Sequence, residues 1–216
     1  MELNQIIEKV KEVREASKKR SFTQTFDLVM NLQNLDLKKP ESKVDVGVTF
    51  PCKVRPKKYK ILAVCDQAIV GAEDVFDKVI YSDELIALKG NMAEIRKITH
   101  DYDKFCVQMN LMPQFAQILG RFLGPMGKMP SPKLGMVINP KTPLAELYEK
   151  LQMTVLIQTK KNLVLQVSLG AESEDDETIA KNIQHVVDAI IHALPGHENN
   201  VKDTSVKLTM GKLVRL

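Results

Sequence analysis

Ile61-Leu62-Ala63-Val64-Cys65, five consecutive apolar residues between Lys60 and Asp66, is the stretch that decides the architecture. A strand with no polar alternation is covered on both faces, which is the situation in a parallel sheet flanked by helices. Working outward, KVIY (78–81) and FCVQM (105–109) are further strand candidates, and helical spacing recurs around 69–77, 91–99, 112–121 and 142–152. This βαβα alternation predicts a small α/β domain over residues 60–153.

The flanking segments follow another rule. Phe26, Leu28, Met30 and Leu32 alternate with Asp27, Val29 and Asn31, and Val44, Val46, Val48 and Phe50 alternate with Asp45, Gly47 and Thr49. Two strands covered on one face are expected there, with the basic turn Lys38-Lys39-Pro40 between them. Beyond the middle, TVLIQT (154–159), the turn Lys160-Lys161-Asn162 and the alternating Leu163, Leu165, Val167 and Leu169 predict a hairpin. Val206, Leu208 and Met210 read as a last strand before Gly211. Two amphipathic helices complete the set. Leu3, Ile6, Ile7, Val10 and Val13 mark one, ending near Lys18-Lys19-Arg20. Ile179, Ile183, Val186, Val187, Ile190, Ile191 and Leu194 mark the other, capped by Ser173 or Asp175 and stopped by Pro195-Gly196. The expected fold is an α+β split terminal domain, an antiparallel sheet with helices built from residues 1–59 and 154–216. It carries an inserted α/β three-layer, Rossmann-like domain at 60–153, with the two chain crossings close together near 59 and 154.

Of the 216 residues, 44% are hydrophobic and 27% charged, ordinary usage that excludes extended disorder and fibrous repeats. No apolar run reaches the roughly 20 residues of a membrane span, and the charged start does not resemble a signal peptide, so a cytoplasmic chain without a membrane partner is expected. Three widely spaced cysteines exclude a disulfide framework. The net charge of +4 is small but uneven: residues 1–59 hold thirteen basic and eight acidic side chains, whereas 60–153 hold eleven of each. A polyanion is therefore expected on the terminal domain.

Signals for catalysis are weak. Gly120-Arg121-Phe122-Leu123-Gly124-Pro125-Met126-Gly127-Lys128 invites a phosphate-loop reading, but Phe122 and Met129 stand where a Walker loop needs Gly and Ser or Thr. Pro125, Pro130 and Pro132 favour a rigid turn instead. Cys65-Asp66-Gln67 replaces a dinucleotide fingerprint, His185 and His192 read as a solvated helix face, and Asp175 to Glu177 as a helix start. No enzyme, cofactor or metal is expected. A small nucleotide-binding enzyme is the alternative, resting on that glycine-rich segment alone.

Binding signals are better placed. Lys18, Lys19 and Arg20 run into Ser21-Phe22-Thr23-Gln24-Thr25, a mixture of cation, aromatic and hydroxyl suited to RNA. Equally, Phe22 fits the core beside Phe26, with the lysines as solvated surface.

The segments Gly120 to Pro130 and Lys207-Leu208-Thr209-Met210-Gly211 resemble the L-one family of large-subunit ribosomal proteins, in its archaeal more than its bacterial style. The similarity extends to Phe22-Thr23-Gln24-Thr25-Phe26-Asp27, Lys38-Lys39-Pro40-Glu41 and Leu111-Met112-Pro113, with Met126 where the family commonly carries arginine. The resemblance implies a two-domain protein whose terminal domain holds rRNA at the mobile stalk, beside the exit site for deacylated tRNA. Repression of its own messenger through a similar RNA structure is also implied. Partners would be large-subunit rRNA, that mRNA and E-site tRNA, for a chain that is monomeric when free; a translational regulator that never joins the ribosome is the second alternative. Matched position by position, Phe22, Thr25 and Asp27 fall on the first recognition strand and Thr209, Met210 and Gly211 on the last. Arg20, Lys38 and Lys39 are candidate phosphate contacts, and Ser21 stands where some relatives have a basic residue. Alternatives remain for several: Asp27 suits a cap as well as a 2′-OH, Met210 suits packing, and Lys38-Lys39 suit a solvated turn.

Overall fold

The computed structural model describes residues 3–36, 44–52, 58–66, 71–139, 143–159 and 162–216. Lys38 and Lys39, and the Lys160-Lys161 turn, lie outside the described residues. The chain forms two compact units, Met1–Lys57 with Met153–Leu216, and Lys58–Gln152.

The first unit begins with helix α1 (Leu3–Ala16), which buries Ile6, Val10 and Val13 as their spacing requires. Strands β1 (Thr25–Leu32) and β2 (Asp45–Thr49) follow. The second unit holds β3 (Ile61–Cys65), α2 (Ala72–Val75), β4 (Lys78–Tyr81), α3 (Ser82–Ala87) and α4 (Met92–Asp101). It continues through β5 (Lys104–Gln108), α5 (Met112–Met126), β6 (Val137–Ile138) and α6 (Leu144–Met153), the last residue of which the division assigns to the first unit. Back in the first unit come β7 (Thr154–Gln158), β8 (Val164–Ala171), α7 (Asp176–Ala193), β9 (Val201–Leu208) and β10 (Val214–Arg215).

The second unit has a four-stranded sheet in the order β4-β3-β5-β6, every pair parallel. β3 and β5 are buried at every residue, the reason Ile61–Cys65 shows no alternation. The unit's ends are clipped by side chains: Tyr59 N donates to Gln152 Oε1 (2.7 Å) and Gln152 Nε2 to Tyr59 O (2.8 Å). Lys104 lies beneath, donating to Leu151 O with its ammonium 4.1 Å from the Tyr59 ring centroid.

The glycine-rich segment is not a turn. Residues 120–126 continue α5, with Pro125 inside its last turn, where the ring leaves the Arg121 carbonyl without a helical donor. Gly127, at φ +68°, ends the helix in a Schellman arrangement, Gly127 N donating to Gly124 O and Lys128 N to Leu123 O. Lys128 Nζ, the lysine of the phosphate-loop reading, donates to Thr99 O (2.9 Å) and Tyr102 O (2.7 Å) and so serves the carbonyl end of α4.

The first unit contains a four-stranded antiparallel sheet, β10-β9-β1-β8, and a two-stranded sheet, β2-β7. The expected hairpin does not form: β7 pairs with β2 from Thr49↔Thr154 to Asp45↔Gln158, while β8 pairs with β1. The strands entering and leaving the inserted segment thus close it as a ribbon, and Phe50 N to Met153 O continues the ladder.

One face of the larger sheet buries Phe26, Leu28, Met30, Leu165, Val167, Leu169, Val206 and Leu208 in a core shared with α1 and α7. Arg14 ties the layers together. Its Nε donates to Asp176 Oδ1 (2.6 Å), its other nitrogens reach Glu172 O and Glu174 O, and its guanidinium carbon lies 5.1 Å from the Phe26 ring centroid. Asp175 takes the N-cap position of α7 but its side chain makes no capping bond, leaving Asp176 and Glu177 in the first turn to complement the dipole. Buried Asn182 donates to Leu169 O (2.9 Å), pinning α7 to β8.

Arg14→Leu should lower stability by about 2 kcal/mol in urea unfolding, because half-buried carbonyls lose a charged donor; a change under about 0.5 kcal/mol would reduce the network to a surface ion pair. Burial pushes the Cys106 thiol up to about 12 and that of Cys65 upward, while Cys52 is half-exposed. A thiol reagent at about pH 8 should label Cys52 alone in the native chain and all three after unfolding.

Candidate nucleic-acid interface

The start of β1, the end of β9 and the end of β8 meet at one end of the larger sheet. Phe26 faces Leu208 and Asp27 faces Lys207 across one ladder; Thr25 faces Ala171 and Phe26 faces Gly170 across the other. Phe22, Thr25, Asp27, Thr209, Met210 and Gly211, 184 residues apart between Thr25 and Thr209, are therefore gathered by strand pairing.

Phe22 is 55% exposed while Phe26 is wholly buried, so the aromatic just before β1 is not a core residue. Met210 is 62% exposed, against its packing alternative. Lys18, Lys19, Arg20 and Lys212 are exposed in the flanking segments. Thr209 continues the β9 ladder: its N donates to Thr25 O at 3.0 Å and its Oγ1 to the same oxygen at 3.1 Å. The Thr209 hydroxyl proton is thereby committed, leaving oxygen lone pairs as acceptors.

Gly211 sits where the chain leaving β9 passes close against the segment after α1. A Cβ there would lie 2.5 Å from Ser17 Oγ and 3.3 Å from Leu208 O, so the residue is small because the segment after α1 passes directly beside it. Asp27 is half-buried and accepts from Ser168 Oγ at 3.1 Å, which makes it a cross-strand partner and not a helix or turn cap.

Gln24, within the Phe22–Asp27 stretch, is a further residue of this site that residue type alone does not mark. It is 3% exposed, and its Oε1 accepts from Met210 N (3.2 Å). Its own N donates to Glu172 Oε2 (3.2 Å) and its O accepts from Glu172 N (2.8 Å). A buried amide thus fixes the Met210 turn to the ends of β1 and β8; a polar side chain in phase with the buried residues of β1 is its only sign in the sequence.

The end of the sheet therefore offers an aromatic face, a thioether, several cations and a rigid polar backbone. Such a surface suits a folded nucleic acid, with cations on phosphates and the aromatic against a base or ribose. Elsewhere, a surface cavity of about 360 Å³ in the second unit is lined by Lys78, Ile80, Glu84, Leu88, Glu94 and Ile98 and takes no residue from the glycine-rich segment. Among the described residues no three His, Cys, Asp or Glu side chains are grouped to hold a metal, and no helix is long and apolar enough to cross a membrane.

Residues 13–212 match the model of the Ribosomal protein L1p/L10e family. The chain belongs to this family. It is 39% identical over 213 residues to the large ribosomal subunit protein uL1 of Thermococcus kodakarensis, covering 98% of this chain and 96% of the relative. The uL1 proteins of Nanoarchaeum equitans (39% over 220 residues, 97% and 98% covered) and Methanothermobacter thermautotrophicus (37% over 214 residues, 98% of both) are similarly close. Membership accounts for the pairing of an antiparallel and a parallel sheet in one chain.

Gln24→Ala should leave Met210 N without its acceptor and destabilise the turn by about 1 kcal/mol. Amide exchange at Met210 should quicken in the variant while that of Leu28 and Met30 in the core of β1 stays slow. Unchanged exchange at Met210 would mean that the turn is held by other contacts.

Proposed function

We propose that this chain is a noncatalytic component of the large ribosomal subunit that holds large-subunit rRNA through the end of the terminal-unit sheet. The observation that carries the reading is the joint exposure of Phe22 and Met210 beside Lys18, Lys19, Arg20 and Lys212, on a margin fixed by Gln24. Large exposed apolar side chains in a cationic setting favour contact with bases and riboses, since a purely solvated surface gains nothing from them. The names of the relatives, each a large ribosomal subunit protein, support the same partner.

The division of labour follows from charge. The terminal segments carry the cationic excess and the inserted segment is neutral, so RNA affinity belongs to the former. A similar RNA fold in the chain's own messenger would fit the same surface, because shape and sugar-phosphate positions are read there, and occupancy would repress translation. The inserted unit would act on the path of deacylated tRNA. Lys38 and Lys39 are proposed as further phosphate contacts. The chain would work bound to the ribosome, as one copy.

Phe22→Ala and Met210→Ala should each weaken binding of the full chain to a stalk rRNA fragment by about tenfold, the scale of one lost stacking or apolar contact. Their exposure means that thermal midpoints should not move. Arg20→Gln should lower the slope of log affinity against log salt by about one. Affinity unchanged in all three variants at fixed salt would place the RNA elsewhere.

A further inference from the structure

The parallel sheet of the second unit ends on one side at β4, which pairs with β3 and has no further strand on its other side. Such a margin presents backbone N–H and C=O groups that another extended chain can take up. Among the described residues, Lys78, Val79 and Ile80 make no backbone bond outside the sheet.

The cavity of about 360 Å³ lies along this margin. Three consecutive strand residues, Lys78, Val79 and Ile80, line it, although their side chains alternate between the two faces of the sheet. A space touched by all three therefore follows the edge of the strand, and the edge beside β3 is already occupied. The opposite wall comes from α3 and α4. Leu88 and Ile98 make it apolar and are themselves buried, while Glu84 and Glu94 stand exposed on the same wall. A guarded edge is short, charged and free of exposed apolar groups. Lys78 supplies a charge here, yet Ile86 (55% exposed) and Met92 (51%) project from the same two helices.

Charge decides what can occupy the groove. Residues 71–94 hold six acidic and two basic side chains, although the inserted segment as a whole is neutral. Glu84 has no hydrogen-bond or ion-pair partner among the described residues, and the Glu94 carboxylate accepts only from Asn91 Nδ2 at 2.8 Å. Phosphates are repelled by such a margin and cationic side chains are drawn to it.

We propose that the β4 margin is a docking edge for an extended basic peptide of another protein, which joins the parallel sheet as an additional strand. The backbone of Lys78, Val79 and Ile80 bonds to the incoming chain. Side chains on one face of that chain are aliphatic and enter the cavity against Leu88 and Ile98; neighbouring lysines or arginines meet Glu84 and Glu94. The four residues of β4 span about 13 Å, enough to fix a segment of similar length. This surface uses residues of the second unit alone, and it stands whether or not the first unit holds RNA.

The test titrates the full chain with an end-capped octapeptide that alternates lysine with valine, following backbone amides by NMR. Signals of Lys78, Val79 and Ile80 should shift while those of β1 stay in place. Glu84→Gln and Glu94→Gln should each weaken binding about threefold, the scale of an exposed ion pair. Ala87→Arg, at an exposed position on the cavity wall, should weaken it about tenfold or more, because the groove then carries a cation of its own. Two further copies of the peptide separate strand pairing from charge attraction. One is methylated on the backbone nitrogens of its valines and the other on those of its lysines. A paired strand turns only alternate N–H groups to its neighbour, so one copy should bind and the other should not. Equal binding by both copies, equal binding by a glutamate–valine octapeptide, or no shift in β4 at millimolar peptide would each overturn the proposal. So would an RNA fragment that shifts β4 where the peptide does not.

Discussion

The antiparallel pairing of β1 with β9 on one side and β8 on the other is the constraint on which the rest depends. It joins residues from the first thirty-two positions to residues beyond 163, across a segment that folds on a parallel sheet of its own. Such long-range pairing carries a large closure cost, met here by a continuous apolar face from Phe26 to Leu208 and by Arg14, which reaches from α1 to the carbonyls before α7. Every feature of the candidate interface is a by-product of this register. Thr209 can bond Thr25, and Gln24 can hold Met210, only because Phe26 stands opposite Leu208.

The same register separates the residues that pack from those that face outward. Alternate residues of β1 enter the core, and those between them meet partners from β8 and β9 on the other face. At the strand's start, where pairing gives way to the segment after α1, an aromatic can remain exposed without weakening the core. Gly211 and Ser17 show how tightly that junction is packed, since no Cβ fits between them without displacement.

Much of this was legible in the sequence because it is periodic. The unbroken apolar run 61–65 and the alternating run 26–32 predicted two kinds of sheet, and the stripes of α1 and α7 were visible at helical spacing. What escaped was decided by partners and not by period. TVLIQT looked like half of a hairpin, since nothing local states that β2 is the better partner. Prolines and glycines made residues 120–128 look like a turn, yet the helix runs on through Pro125 to Met126 and Lys128 is needed by α4. β6 and β10, of two residues each, are too short to show alternation. At the interface, residue types left Phe22 balanced between core and surface, and its exposure, three residues before β1 begins, resolves it. Gln24 gave only a faint signal because its role lies in what it holds.

The most direct measurement is hydrogen–deuterium exchange of the full chain with and without large-subunit stalk rRNA. Protection is expected over the segment from Arg20 to Asp27 and from Lys207 to Lys212, where the ends of β1 and β9 meet, with the amides of β3 and β5 unaltered. Protection confined to residues 58–152, with both strand ends exchanging as in the free chain, would contradict the account.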